Sequence, residues 1–178
     1  MSEAPQVHSV VLKRVFDAPI DLVYRAWTEA EHVTRWMKCD AEVTLEVENW
    51  VPAVGTEFKT HMFKEGAFEA WGTGRFTEVD PPRVLAYTND ADPEIGAPEM
   101  SVRVELVDLD GKTELTLTHS GVPTDLTGII EGGWTTGLSL LQDLAMALLS
   151  AYAGARFTGK MQSGDAEAVD STTAASND

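Results

Sequence analysis

The sequence contains one cysteine, Cys39, so no disulfide can form within the chain and no CxxC pair is available. Cys39 has no HxxxH partner either, so no metal site and no cofactor are expected. Basic residues are scarce. Lys and Arg number 13 against 29 Asp and Glu, a net charge of −16. A surface that acidic repels phosphate backbones and anionic headgroups, so neither nucleic acid nor membrane is expected as a partner. It suits solubility, or a face that meets a basic partner protein. Long apolar runs are also missing, and those present read as too short and too interrupted to span a bilayer. The start, MSEAPQVHSV, has neither the basic patch nor the apolar stretch of a secretory signal. A reducing cytoplasm is the simplest location.

Catalytic signatures are absent as well. GTGRFT lacks the third glycine of a nucleotide fingerprint and sits within a strand pattern, where its glycines permit bending or close backbone approach. No GxSxG elbow is present, and no carboxylate pair falls in an apolar setting. The expectation is a binding module rather than an enzyme.

What the chain does have is enough apolar residue, 43% of 178, for one domain with its own core. Residues 1–6 read as a flexible start and 7–158 as the domain. Residues 159–178, rich in Ser, Thr, Ala and Asp, read as a disordered acidic tail. A strand is expected from Val7 to Phe16. DAPIDLVYRAW then places Ile20, Val23, Tyr24 and Trp27 on one helical face, with Pro19 in the first turn. Thr28 and Glu31 have capping-box spacing and open a second short helix whose apolar side is Val33, Trp36 and Met37. From Ala41 to Ser120 the period changes to two, the mark of half-solvated antiparallel strands. Gly55, Gly66, Pro81-Pro82 and Asp110-Gly111 punctuate it. The run GWTTGLSLLQDLAMALL is the clearest helix, and from Trp134 to Tyr152 it would rise about 28 Å.

A curled sheet with one apolar face needs a cover, and only this last helix is long enough to supply it. The expected fold is therefore α+β. A curved antiparallel sheet of about six to seven strands grips a long C-terminal helix, with two short helices after the first strand.

With that order in place, RVFDAPIDLVYRAWTEAEHVTRW, GTGRFTEVDPPRVLAYT, TELTLTHSG and GGWTTGLSLLQDL resemble the activator-of-heat-shock-chaperone-ATPase homologue family. That family belongs to the START-like (SRPBCC, birch-pollen-allergen-like) superfamily. The likeness spans about Val10 to Tyr152. It implies a helix-grip fold with a cavity between the sheet and the last helix. It also implies a choice of functions, because the superfamily hosts lipid carriers, receptors, cyclases and a co-chaperone domain on one scaffold.

His119 shares strand parity with Leu115 and Leu117, so it is expected on the covered face, either satisfied by backbone near the strand end or as a ligand-orienting or acid–base group. The other expected cavity-lining residues are Trp36, Phe58, Met62, Trp71, Phe76, Tyr87, Val104, Leu117, Trp134, Leu138 and Leu141. Tyr87 and His119 would be the polar points among rigid aromatic walls. His8, His32 and His61 read as peripheral. Leu141 to Leu149 reads as core, whereas Gly132, Gly133 and Gly137 leave room around Trp134, beside which a pocket would open. The leading expectation is a module that binds a small apolar or aromatic molecule. The alternatives are a chaperone-associated interaction domain using its acidic surface, and a cyclase-like or hydrolytic enzyme using His119.

Overall fold

The computed structural model describes residues 6–94 and 96–164, with side chains up to residue 155. Strand β1 (Val7–Phe16) leads into helices α1 (Ile20–Thr28) and α2 (Ala30–Trp36). Six strands follow: β2 (Thr44–Glu48), β3 (Glu57–Lys64), β4 (Phe68–Asp80), β5 (Val84–Asn89), β6 (Met100–Asp108) and β7 (Thr113–Pro123). A single 3-10 turn then enters α3 (Thr127–Gly164). The seven strands form one sheet in the order β1-β7-β6-β5-β4-β3-β2, and every pairing is antiparallel. The fold is the α+β helix-grip.

Period-two alternation decides which residues meet the helix. On β6 and β7 it turns Val102, Val104, Leu106, Leu115, Leu117 and His119 inward, all of them buried. The β6–β7 turn is made by Asp110 and Gly111 at φ 58° and 94°, the consecutive left-handed conformations that a two-residue hairpin requires. From the other side α3 supplies Leu138, Leu141, Leu144 and Ala145, three- and four-residue steps that keep one stripe on the sheet. Trp27, Trp36, Phe16 and Phe76 are fully enclosed between these layers and the short helices.

Four sequence expectations need correction or extension. The Thr28 capping box does not form. The N-cap of α2 is Glu29, without a side-chain cap, and Thr28 Oγ1 donates back to Tyr24 O at 2.9 Å, a local bond open to any helical threonine. Pro19 stands one place earlier than expected, as the N-cap of α1. Helix α3 begins at Thr127, seven residues before Trp134, because the glycines at 128, 132 and 133 weaken a helix without ending it. Finally, Thr124–Ala155 is long and apolar enough by composition alone to cross a membrane, with mean hydropathy 1.3, which the sequence reading denied. Its stripe from Leu138 to Ala145 is nevertheless held in the core cluster. The expected tail overlaps the last turn of α3, and beyond Gly164 it lies outside the described residues, as does the expected flexible start except Gln6. The carbonyl of Gln6 accepts from Thr124 Oγ1 at 3.0 Å.

Two glycines of GTGRFT shape the inner face. A Cβ at Gly74 would lie 2.1 Å from Thr88 O and 2.5 Å from Phe58 Cζ, and one at Gly72 would lie 2.8 Å from Thr60 Oγ1. The bare strand is what lets the Phe58 ring fold over β4. Gly74→Ala is expected to cost about 2–4 kcal/mol, since the clash is with backbone as well as with a packed ring. Gly132→Ala, whose Cβ meets nothing within 4 Å, should instead stabilise by about 0.5–1 kcal/mol. Urea unfolding of both variants checks the pair, and an innocuous Gly74→Ala would refute the close approach.

Candidate functional site

Where the apolar contact of α3 with the sheet stops, a cavity of about 290 Å³ remains, at the small end of ligand pockets. Its floor is the inner face of β3 and β5, from which Phe58, Thr60, Met62, Tyr87 and Asn89 project, with Trp50 beside them. Its roof is the first part of α3, with Ile129, Ile130, Gly133, Trp134 and Gly137. One side is closed by Met37, Lys38 and Cys39, the segment just after α2, and His119 of β7 completes the wall. Ile129 is 73% exposed and stands at the rim.

Of the residues expected from sequence, Phe58, Met62, Tyr87, His119 and Trp134 come together here. Trp36, Phe76, Val104, Leu117, Leu138 and Leu141 do not; each is buried in the core beside or beneath the cavity. Trp71 is misplaced by the sequence reading. It is 65% exposed, on the outer face of the sheet. The reason is parity: Trp71 and Phe76 are five residues apart on one strand, and the β4 irregularity comes only after Phe76. Trp71 stacks on the outward His61, with ring centroids 3.7 Å apart and planes at 3°.

Several lining residues were missed. Thr60 and Asn89 share strand parity with Phe58 and Tyr87, a signal available in the sequence. Lys38 and Cys39 lie in an irregular segment that carries no period. They reach the site because Gly133 and Gly137 of α3 let the chain close in: Cβ atoms there would meet Cys39 Cβ at 3.3 Å and the carbonyls of Trp36 and Lys38 at 3.4 Å. These glycines admit backbone instead of leaving empty space. Of the three glycines expected to leave room, Gly132 is the one that faces open space.

The polar centre of the site is a bond between helix and sheet. Trp134 Nε1 donates to His119 Nδ1 at 2.9 Å. The indole can only donate, so the neutral imidazole must carry its proton on Nε2. That Nε2 is buried and has no hydrogen-bond partner among the described residues, an arrangement that costs free energy and so calls for a reason. Burial pushes the His119 pKa down to about 4, which keeps the ring neutral at physiological pH. Tyr87 is 3% exposed, and burial pushes its hydroxyl upward. It therefore stays protonated, and among the described residues donates to the Met37 thioether at 3.9 Å, a weak acceptor.

The aromatic rings in and behind the cavity wall are themselves anchored. Trp36 Nε1 donates to Ala26 O at 2.8 Å and Trp50 Nε1 to Trp27 O at 3.2 Å. Trp27 stacks against Trp134 at 6.0 Å, while Trp50 packs on Phe58 at 4.7 Å and Tyr87 at 5.7 Å. Away from the cavity, His32 is buried in the first turn of α2 with Nε2 2.9 Å from a Glu29 carboxylate oxygen. Glu29 is also held by Arg25 Nε at 2.6 Å. Glu29, Glu31 and His32 thus form a compact polar group, with ligand atoms within 4.8 Å of one another.

A curved seven-stranded antiparallel sheet, a long gripping helix and a cavity between them define a START-like domain. The chain belongs to the family of the Activator of Hsp90 ATPase homolog 1-like protein, whose family model matches residues 17–145. Solved structures agree on the fold. A Chromobacterium violaceum protein superimposes with a TM-score of 0.71 at 24% identity, over 77% of this chain and 96% of that one. The AHSA1-like protein of Aeromonas hydrophila gives 0.66 at 22% identity, over 79% and 94%. CalU16 of Micromonospora echinospora gives 0.59 at 21%, over 86% and 87%. No functionally curated protein matches the sequence.

The His119 assignment has a consequence for stability. In the unfolded chain a histidine titrates near 6.5, whereas the folded ring titrates at about 4. Between those values the unfolded state binds more protons. The contribution is therefore complete above about pH 6.5 and drains away as pH falls toward 4, by about 3 kcal/mol in all. Urea unfolding of wild type and His119→Gln across this window should show the loss in wild type and a flatter profile in the variant. Parallel profiles would overturn the assignment.

Proposed function

We propose that this domain binds a small apolar or aromatic molecule in the cavity between the sheet and the first part of α3. The observation that carries the reading is the combination of aromatic walls with two inward, neutral donors, Tyr87 and His119, that the protein itself leaves weakly satisfied or unsatisfied. Apolar surface supplies affinity in such a site, and a few placed polar groups supply orientation. The family and fold are compatible with this reading. The single cysteine favours a cytoplasmic setting. An enzymatic role for His119 has less support. A ring driven to about 4 is a poor proton acceptor at neutral pH.

Methyl-resolved NMR with a panel of apolar and aromatic compounds tests the reading. Bound compounds should shift Met37, Met62 and Ile130. Gly133→Leu, whose side chain would push against the Cys39 wall, 3.3 Å from the Cβ position, while favouring the helix, should weaken binding about tenfold or more. If shifts appear only on the outer face of the sheet, the reading fails.

One observation favours a second reading, an interaction surface. Trp71 lies open on the outer face over His61, whose Nε2 is 2.7 Å from Glu69 and whose Nδ1 is 3.5 Å from Glu46. An exposed aromatic within an acidic surround is a plausible anchor for a basic partner. If the host chaperone is that partner, Trp71→Ala should weaken its binding in a titration by about tenfold or more, and salt should weaken it further. An unchanged Kd would remove Trp71 from consideration.

A further inference from the structure

Among the described residues, the charge around the cavity does not follow the charge of the protein. The chain carries 29 carboxylates, yet none lines the cavity. The one charged residue in the lining is Lys38, which is half-buried.

Lys38 is exceptional in a second way. Lys13, Lys59, Lys64 and Lys112 each form an ion pair with a carboxylate, as a strongly acidic surface makes easy. Lys38 forms none among the described residues. Asp40, the acidic neighbour that feels its charge, is already hydrogen-bonded by Lys64 at 3.2 Å and by the Glu42 N–H at 2.9 Å. The close approach of its backbone to Gly137, beside the contact of Cys39 with Gly133, fixes the segment that carries the cation against α3. An unpaired cation beside an apolar, carboxylate-free cavity favours one ligand chemistry, because the body can be desolvated while the head is met by opposite charge.

Resting on the ligand-binding reading above, we infer that the cavity takes an apolar carboxylic acid, its flat or aliphatic body among the aromatic walls and its carboxylate against Lys38 at the mouth. The ammonium supplies a charge-assisted hydrogen bond that a neutral head of the same shape does not receive in full.

Two shape-matched pairs test this near neutral pH, where the acids are ionised: 2-naphthoate with 2-naphthamide, and decanoate with decanamide. Binding is followed by calorimetry and by the methyl signals of Met37 and Met62. The acid of at least one pair should bind about tenfold more tightly than its amide. Lys38→Gln should erase that preference by weakening the acid and leaving the amide unchanged, while Lys38→Arg retains it. If in both pairs an amide that binds in the cavity does so as tightly as its acid, or if Lys38→Gln weakens acid and amide alike, the acid assignment is overturned and the cavity reading stands. If none of the four compounds shifts the cavity methyls, both fall.

Discussion

The bond from Trp134 Nε1 to His119 Nδ1 fixes the point at which helix and sheet stop packing and begin to enclose space. Beyond it, the aliphatic side chains of Leu138 and Leu141 pack in the core with those of the sheet. Before it, the indole stands up from α3 and is held upright by the imidazole, with Trp27 stacked behind. A tryptophan without that acceptor would have to bury an unpaired N–H or turn outward, and either would alter the cavity wall. The bond also dictates the chemistry. By using Nδ1 as acceptor it sends the only proton of the neutral ring to Nε2.

Glycine does on two elements what the aromatics cannot. On β4 the bare inner positions at 72 and 74 let Phe58 and Thr60 lie over the strand, which lowers the floor. On α3 the one-turn spacing of Gly133 and Gly137 presents a smooth stripe to which the segment after α2 can close. In both places the missing side chain admits a neighbour that then lines the cavity. The site is consequently built from backbone proximity as much as from side-chain type. That is why substitutions at residues with no polar function are expected to reach it.

Legibility in the sequence follows from this. The alternation that buries Val104, Leu117 and His119 and the three-and-four spacing of Leu138, Leu141 and Ala145 can be read directly, because each depends on one element's own period. The same rule counted correctly would have sent Trp71 outward, since a strand without a bulge before Phe76 cannot turn both rings inward. Asn89 and Thr60 were equally available from parity. Lys38 and Cys39 were not. Their place is decided by the contact between two distant segments, Met37 to Cys39 and Gly133 to Gly137, and no local pattern encodes which irregular stretch will be drawn against which glycine. The cap of α2 was a different failure: Thr28 had two bonds open to it and took the one inside its own helix.

The electrostatic character of the molecule changes sign with distance, and this bears on what the cavity can accept. Seen from afar, a net charge of −16 disfavours any anion. At physiological ionic strength that field is screened over about 8 Å, so an approaching molecule responds to the groups nearest the mouth. Among the described lining residues the one formal charge is the positive charge of Lys38, and His119 and Tyr87 are neutral. A carboxylate on the lining would have reversed this by pairing with Lys38 and by accepting from the two donors, and the site would then be internally satisfied. Leaving carboxylates out is therefore what keeps Lys38 unpaired and the two donors without a strong acceptor among the described residues, in a chain where carboxylates are abundant almost everywhere else.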